Sequence, residues 1–127
     1  MPTIFVYGTL RTGQSNHWLM RELGATRIGD ALTAEPMSLW LDVASGIPYM
    51  SPEPRVRIAG ELFTVPAAAL SRLDAFEEHP AVYLRERIRV VLGARKRSAF
   101  AYLFHGTVEG LRLIEGGDFA AGPERPR

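Results

Sequence analysis

Leu70, Leu73 and Phe76 recur at the spacing of one helical face, and at about 100° per residue Glu77 falls on the same stripe while Asp74 and Glu78 point away from it. A carboxyl on an apolar face loses hydration. At a helix carboxy terminus it also meets the negative end of the macrodipole, and both effects favour the protonated form. A glutamate held in this way can take and return a proton near neutral pH. The alternative is a helix that frays before Glu77, leaving it solvated in an ordinary ion pair with Arg85 or Arg87. On spacing alone the solvated reading is favoured, because a helix end is the least defined part of a sequence reading.

Other chemistries find less support. The chain has no cysteine, which removes thiolate nucleophiles, disulfides and cysteine-based metal sites. His17, His79 and His105 are scattered, without the spacing of a zinc-binding helix, so no metal is expected. Ser45 and Ser98 lack the motif of a nucleophile elbow. With 15 basic and 14 acidic residues the net charge is +1, and the basic cluster 94–97 reads as a solvated hairpin turn. These totals point away from nucleic acid and from a membrane surface, and toward a small, roughly neutral partner. No apolar run approaches the roughly 20 residues needed to span a bilayer, and the expectation is a cytoplasmic protein.

The elements that must position Glu77 follow from the local patterns. At 127 residues and 46% hydrophobic content the chain can close one core, and a single domain is expected over 1–119, with 120–127 as a flexible tail. Thr3 to Tyr7 is a β-branched and aromatic run ended by Gly8, a strand entering a tight turn. Ser15 and Asn16 can cap a short helix carrying Trp18, Leu19, Met20 and Leu23, with Gly24 as its stop. Short strands are expected over 26–50, a turn over 51–54 and a strand over 56–65. Pro66 suits the start of a helix over 67–76. Residues 82–92 and 98–105 alternate around a turn at 93–97, which makes a hairpin, and order fades from Gly106. Strands outnumber helices, so the expectation is α+β, a small mixed barrel-like sheet with two or three short helices packed against it.

Two blocks carry a resemblance. VYGTLRTGQSNHWLM at 6–20 and LDAFEEHPAVYLRERIRV at 73–90 are similar, in this order, to the opening and catalytic segments of γ-glutamylcyclotransferase-like proteins. Within that family they resemble the γ-glutamylaminecyclotransferase pattern. Gly46-Ile47-Pro48-Tyr49-Met50, Gly60-Glu61-Leu62-Phe63 and Gly116-Gly117-Asp118 also look like family positions, so the likeness covers about residues 3 to 119. It implies a small mixed barrel and assigns Glu77 as the catalytic acid/base. It implies further that Tyr7, Gly8, Thr9 and Leu10 bind substrate, their backbone N–H groups holding an α-carboxylate. Read without it, that turn can equally be a plain strand exit.

Tyr83 matches a pocket-lining family tyrosine, and equally suits half-buried core. Arg85 reads more readily as an ion-pair partner of a nearby carboxylate than as a substrate contact, and Asn16 and His17 as local hydrogen bonding and helix capping. Pro48 shapes a pocket wall or ends a strand. One departure stands out: Glu78 occupies a position where the aminecyclotransferase pattern has glycine. A second carboxylate there would raise the pKa of Glu77 by repulsion if it were not solvated.

The chemistry the resemblance implies needs no cofactor. A γ-glutamyl amide contains its own nucleophile, the α-amine, and its own electrophile, the γ-carbonyl, and one glutamate can both remove and supply the proton. The products are 5-oxoproline and a free amine. The expected partner is a small γ-glutamyl substrate, with the protein a monomer or weak homodimer. A γ-glutamyl peptide, an acyl-carrier substrate, or binding of a small acid without catalysis are the alternatives.

Overall fold

The structure, a computed structural model, describes residues 1–120. Thr3–Val6 (β1) is followed by His17–Glu22 (α1), Thr26–Thr33 (β2), Met37–Asp42 (β3), Ile47–Val56 (β4), Ala59–Thr64 (β5), Ala69–Phe76 (α2), Leu84–Leu92 (β6), Arg95–Leu103 (β7) and Arg112–Leu113 (β8). Five strands close a barrel in the order β1-β5-β2-β6-β7, and β4-β3-β8 form a second sheet. All barrel pairs are antiparallel except β1 with β7, which meet in parallel at Ile4 and Phe100. The expected α+β fold, a small mixed barrel with short helices, is the observed one.

β1 is apolar from Ile4 to Val6 because both of its faces are covered there. Phe5 and Tyr7 turn into the barrel with Ala31, Leu62, Val90 and Ala101. Ile4 and Val6 face outward into a second cluster with Leu19 and Met20 of α1 and Leu73 of α2. The two helices therefore sit against the outer face of β1, and the end of α2 comes to rest beside the turn that β1 feeds.

Several local expectations need correction. Residues 51–54 do not end a strand: β4 runs through them, and residues 52–55 bulge out between the pairs Ser38↔Ser51 and Met37↔Val56. β4 is an edge strand, where the missing N–H of proline is tolerated. The single strand expected over 56–65 is broken at 57 and 58, where Ile58 N–H donates to Thr33 Oγ1. The hairpin turn narrows to Gly93 and Ala94, with Gly93 at φ 62°, and α2 begins at Ala69, whose N–H donates to the Pro66 carbonyl. Order does not fade after Gly106. β8 pairs with β3, Ile114 is buried, Gly117 accepts the Ala59 N–H at 2.8 Å, and Asp118 pairs with Arg11 at 2.8 Å. Of the expected tail, residues 121–127 lie outside the described residues.

Candidate active site

Beyond Val6 the chain turns through Gly8, Thr9 and Leu10. The Tyr7 hydroxyl donates to the Tyr102 carbonyl at 2.7 Å and accepts the Met50 N–H at 3.4 Å, which pins the start of the turn to both sheets. Gly8 lies so close to Pro48 that a Cβ there would stand 2.4 Å from the proline Cγ. Only glycine admits that approach.

The carbonyls of the turn are occupied: Gly8 accepts from Arg11 N–H, Thr9 from Asn16 N–H, and Leu10 contacts His17 Nδ1 at 2.9 Å. Its N–H groups are not, since no described residue accepts from Gly8, Thr9 or Leu10. Asn16 stands at the head of α1 without capping it, because its side-chain amide donates instead to Thr9 Oγ1 at 3.0 Å. The expected capping role of Asn16 is thus replaced by a brace on the turn. Farther along, Glu61, only 5% exposed, accepts from Thr12 N–H at 2.7 Å and from Arg27 Nε at 2.8 Å.

α2 supplies the opposite side. Leu73 is fully buried, and Glu77 follows as the last residue before the chain reverses. The reversal is a Schellman motif: Glu78 N–H donates to Ala75 and His79 N–H to Asp74. Glu78 occupies its left-handed position at φ 53°, which glycine adopts without strain. The departure noted in the sequence therefore falls on the position of this turn that favours glycine. The peptide from His79 to Pro80 is cis.

Glu77 is half-buried and has no ion pair or side-chain hydrogen bond among the described residues. The solvated pair with Arg85 or Arg87 does not form. Arg85 instead grips Asp74, at 2.8 Å from Nε and 3.2 Å from the terminal nitrogen, and both arginines lie over the Phe100 ring. Burial pushes the Glu77 carboxyl up to about 7. Burial is the cause; the expected repulsion from Glu78 plays no part, because that side chain is exposed.

Between the turn and Glu77 lies a cavity of about 170 Å³, lined by all four residues from Tyr7 to Leu10, by Glu77 and by Tyr83. The sequence-predicted site residues therefore meet in one space. Pro48 lines it while pairing within β4, so it shapes a wall without ending a strand. Tyr83 is buried, with its neighbours Val82 and Leu84 turned outward. Its ring stacks on Tyr49 with centroids 5.4 Å apart, and its hydroxyl donates to the Pro48 carbonyl at 2.8 Å. The phenol is thus a wall with its donor already used. Burial, with Tyr7 and Glu77 adding to it, pushes that phenol above its ordinary range, so it stays neutral.

Sequence reasoning missed Tyr49, Tyr102 and Asp74. Ala99, Ala101 and Leu103 face the barrel interior, and that alternation puts Phe100 and Tyr102 on the side of the helices. The Tyr102 hydroxyl donates to Asp74 at 2.8 Å. Among the described residues no lysine, arginine or histidine lines the cavity.

A family profile described as gamma-glutamyl cyclotransferase, AIG2-like matches residues 4–121. A γ-glutamylcyclotransferase family protein of Escherichia coli K12 is 34% identical over 118 residues, 91% of this chain and 94% of the relative. The γ-glutamylaminecyclotransferase of Bos taurus is 38% identical over 94 residues, 70% of this chain; the match spans 56% of that protein's length. The crystal structure of an AIG2-like protein from Mus musculus superposes with a TM-score of 0.86 at 31% identity, covering 100% of this chain and 97% of the other.

Proposed function

This chain belongs to the γ-glutamyl cyclotransferase, AIG2-like family, and we propose that it cyclises a γ-glutamyl amine or amide to 5-oxoproline, with Glu77 as its proton carrier. The observation that carries this reading is a partnerless, half-buried carboxyl and a row of unclaimed backbone N–H groups lining one small cavity.

The two ends of a glutamyl group divide between them. The N–H groups of Gly8, Thr9 and Leu10 hold the α-carboxylate, as successive amides do at other anion sites. The α-ammonium then gives one proton to Glu77, which with its pKa near 7 is able to accept it at neutral pH. The freed amine attacks the γ-carbonyl carbon, a C–N bond forms, and the five-membered ring closes. As the tetrahedral centre collapses the bond to the original amine breaks, and Glu77 returns its proton to the departing nitrogen. The surplus proton of the ring nitrogen follows by way of the freed carboxylate, so that the lactam keeps one N–H and the amine leaves as an ammonium. Atoms balance without water or a co-reactant. Proton transfer of this kind contributes about 10²–10⁴-fold. Holding the glutamyl chain folded supplies more, since well-oriented intramolecular reactions reach effective molarities of about 10⁵–10⁸ M.

The test is a panel of γ-glutamyl amines and dipeptides incubated with the protein, with 5-oxoproline followed by mass spectrometry. The expected result is release from at least one conjugate and its loss in Glu77→Gln. Equal activity of the mutant would remove Glu77 from the mechanism, and silence on every conjugate would favour a binding protein.

A further inference from the structure

Among the described residues Glu78 is the one non-glycine with a left-handed backbone. A glutamate is strained in that conformation, and glycine would not be. Its side chain is exposed, lines the cavity, and has no ion pair or side-chain hydrogen bond among the described residues. A strained, unpartnered acid in the lining of a pocket is placed to meet what enters.

The surroundings define what that is. Ile47, Phe76 and Val82 line the same cavity and remain 40%, 37% and 36% exposed, an apolar collar at its opening. Among the described residues Glu77 and Glu78 are the only charged ones of the lining. The field of Glu78 reaches the wall: the Tyr49 phenol is pushed up first by burial, then by Asp42 and Glu78. On the proposed seating of the α-carboxylate at the Gly8 turn, the collar is the part of the lining left for the leaving amine. An α-amino acid leaving group would bring its own carboxylate next to the scissile amide, beside two acids and no cation. An alkyl chain ending in an ammonium would cover the collar and meet Glu78.

We infer that Glu78 is a specificity-determining residue that selects leaving amines carrying a second, positive charge at the end of an alkyl stretch, that is, γ-glutamyl diamines and polyamines. The inference rests on the cyclotransferase reading above.

The test compares kcat/KM on the γ-glutamyl conjugates of 1,4-diaminobutane, pentylamine and alanine, for the native chain, Glu78→Gln and Glu78→Gly. Pentylamine matches the diamine in length and lacks its charge. The native chain is expected to prefer the diamine over pentylamine by about two- to fivefold, the scale of a partly exposed ion pair. Added salt should shrink that preference. The alanine conjugate should be the poorest. In both variants the ratio of diamine to pentylamine should fall toward one, which a merely structural role for Glu78 would not produce. Turnover of pentylamine and diamine conjugates at equal rates by the native chain, or a ratio unchanged in Glu78→Gln, would overturn this inference alone. Absence of 5-oxoproline from all three conjugates would overturn both it and the cyclotransferase reading.

Discussion

The Tyr102 hydroxyl donates to Asp74 Oδ1 at 2.8 Å, three residues ahead of Glu77 on α2. The carbonyl of the same tyrosine accepts the Tyr7 hydroxyl, so one residue of β7 ties the helix to the turn that follows β1. Burial pushes Asp74 up, but the bonds from Tyr102 and Arg85 outweigh it and hold the carboxyl below its ordinary range. Tyr102→Phe should cost about 1 kcal/mol, the net value of one hydrogen bond. It should lower kcat more than it raises KM, because Glu77 loses its register and the turn does not. The stability contributed by Asp74 is present above its unfolded pKa of about 3.9 and lost as pH falls through the lower folded value. Urea denaturation across that acid range should show a shallower loss in the mutant.

Glu77 titrates in the opposite sense. Its folded pKa of about 7 lies above the unfolded value, so the folded state holds the extra proton between them. The contribution to stability is full below about pH 4.3, declines as pH rises, and is gone past the folded pKa. Glu77→Gln should therefore match the native chain at low pH and exceed it in stability above pH 7, while its turnover falls by about 10²-fold or more. In the native chain kcat/KM should rise with pH about a midpoint near 7. A stability difference that does not change with pH would contradict the burial argument.

Gly8→Ala places a methyl group 2.4 Å from the Pro48 Cγ, and a proline ring has little freedom to move aside. Overpacking of this kind costs about 1–3 kcal/mol. Activity should drop with stability, because the displaced wall is part of the cavity. Pro48→Ala alone removes the obstructing atom. Thermal melts of the two single mutants and the double should show a favourable coupling, with the double more stable than the sum of the singles implies.

Glu61 is a buried acid with a structural task. Burial pushes its carboxyl up, yet the Thr12 N–H and Arg27 outweigh that and hold it below the ordinary range. Glu61→Ala strips both partners and should cost about 1.5–3 kcal/mol, the range for hydrogen bonds to charged groups. Glu61→Gln keeps an acceptor for Thr12 and should cost less. Hydrogen exchange at Thr12 reports the loss directly: its amide should exchange faster in the alanine variant than in the glutamine one.

The apolar stripe of α2 offered Glu77 as the carboxylate nearest the buried side, but spacing alone favoured a solvated ion pair, and the resemblance was needed to single it out. Tyr7 to Leu10 was legible as a strand exit, and only the resemblance gave it a ligand. The brace of Asn16 on Thr9 was not legible, since an asparagine ahead of an apolar run reads equally as a helix cap. Pro52 and Pro54 read as a turn because proline breaks a paired strand, and nothing local reveals that β4 lies at an edge. Gly116 to Asp118 fell in the stretch after Gly106 where order was expected to fade. Its order comes from partners far away in the chain, Ala59 and Arg11, which no local pattern encodes.

The barrel is sealed by the parallel contact of Ile4 with Phe100, so its earliest strand waits for its latest. On a ribosome, a chain halted before β7 would already carry Glu77 but would lack Tyr102, the acceptor for the Tyr7 hydroxyl. Such an intermediate has the acid without the enclosure that tunes it. The cavity that surrounds Glu77 is therefore complete only once β7 has been synthesised and docked, which ties it to the most non-local strand pairing among the described residues.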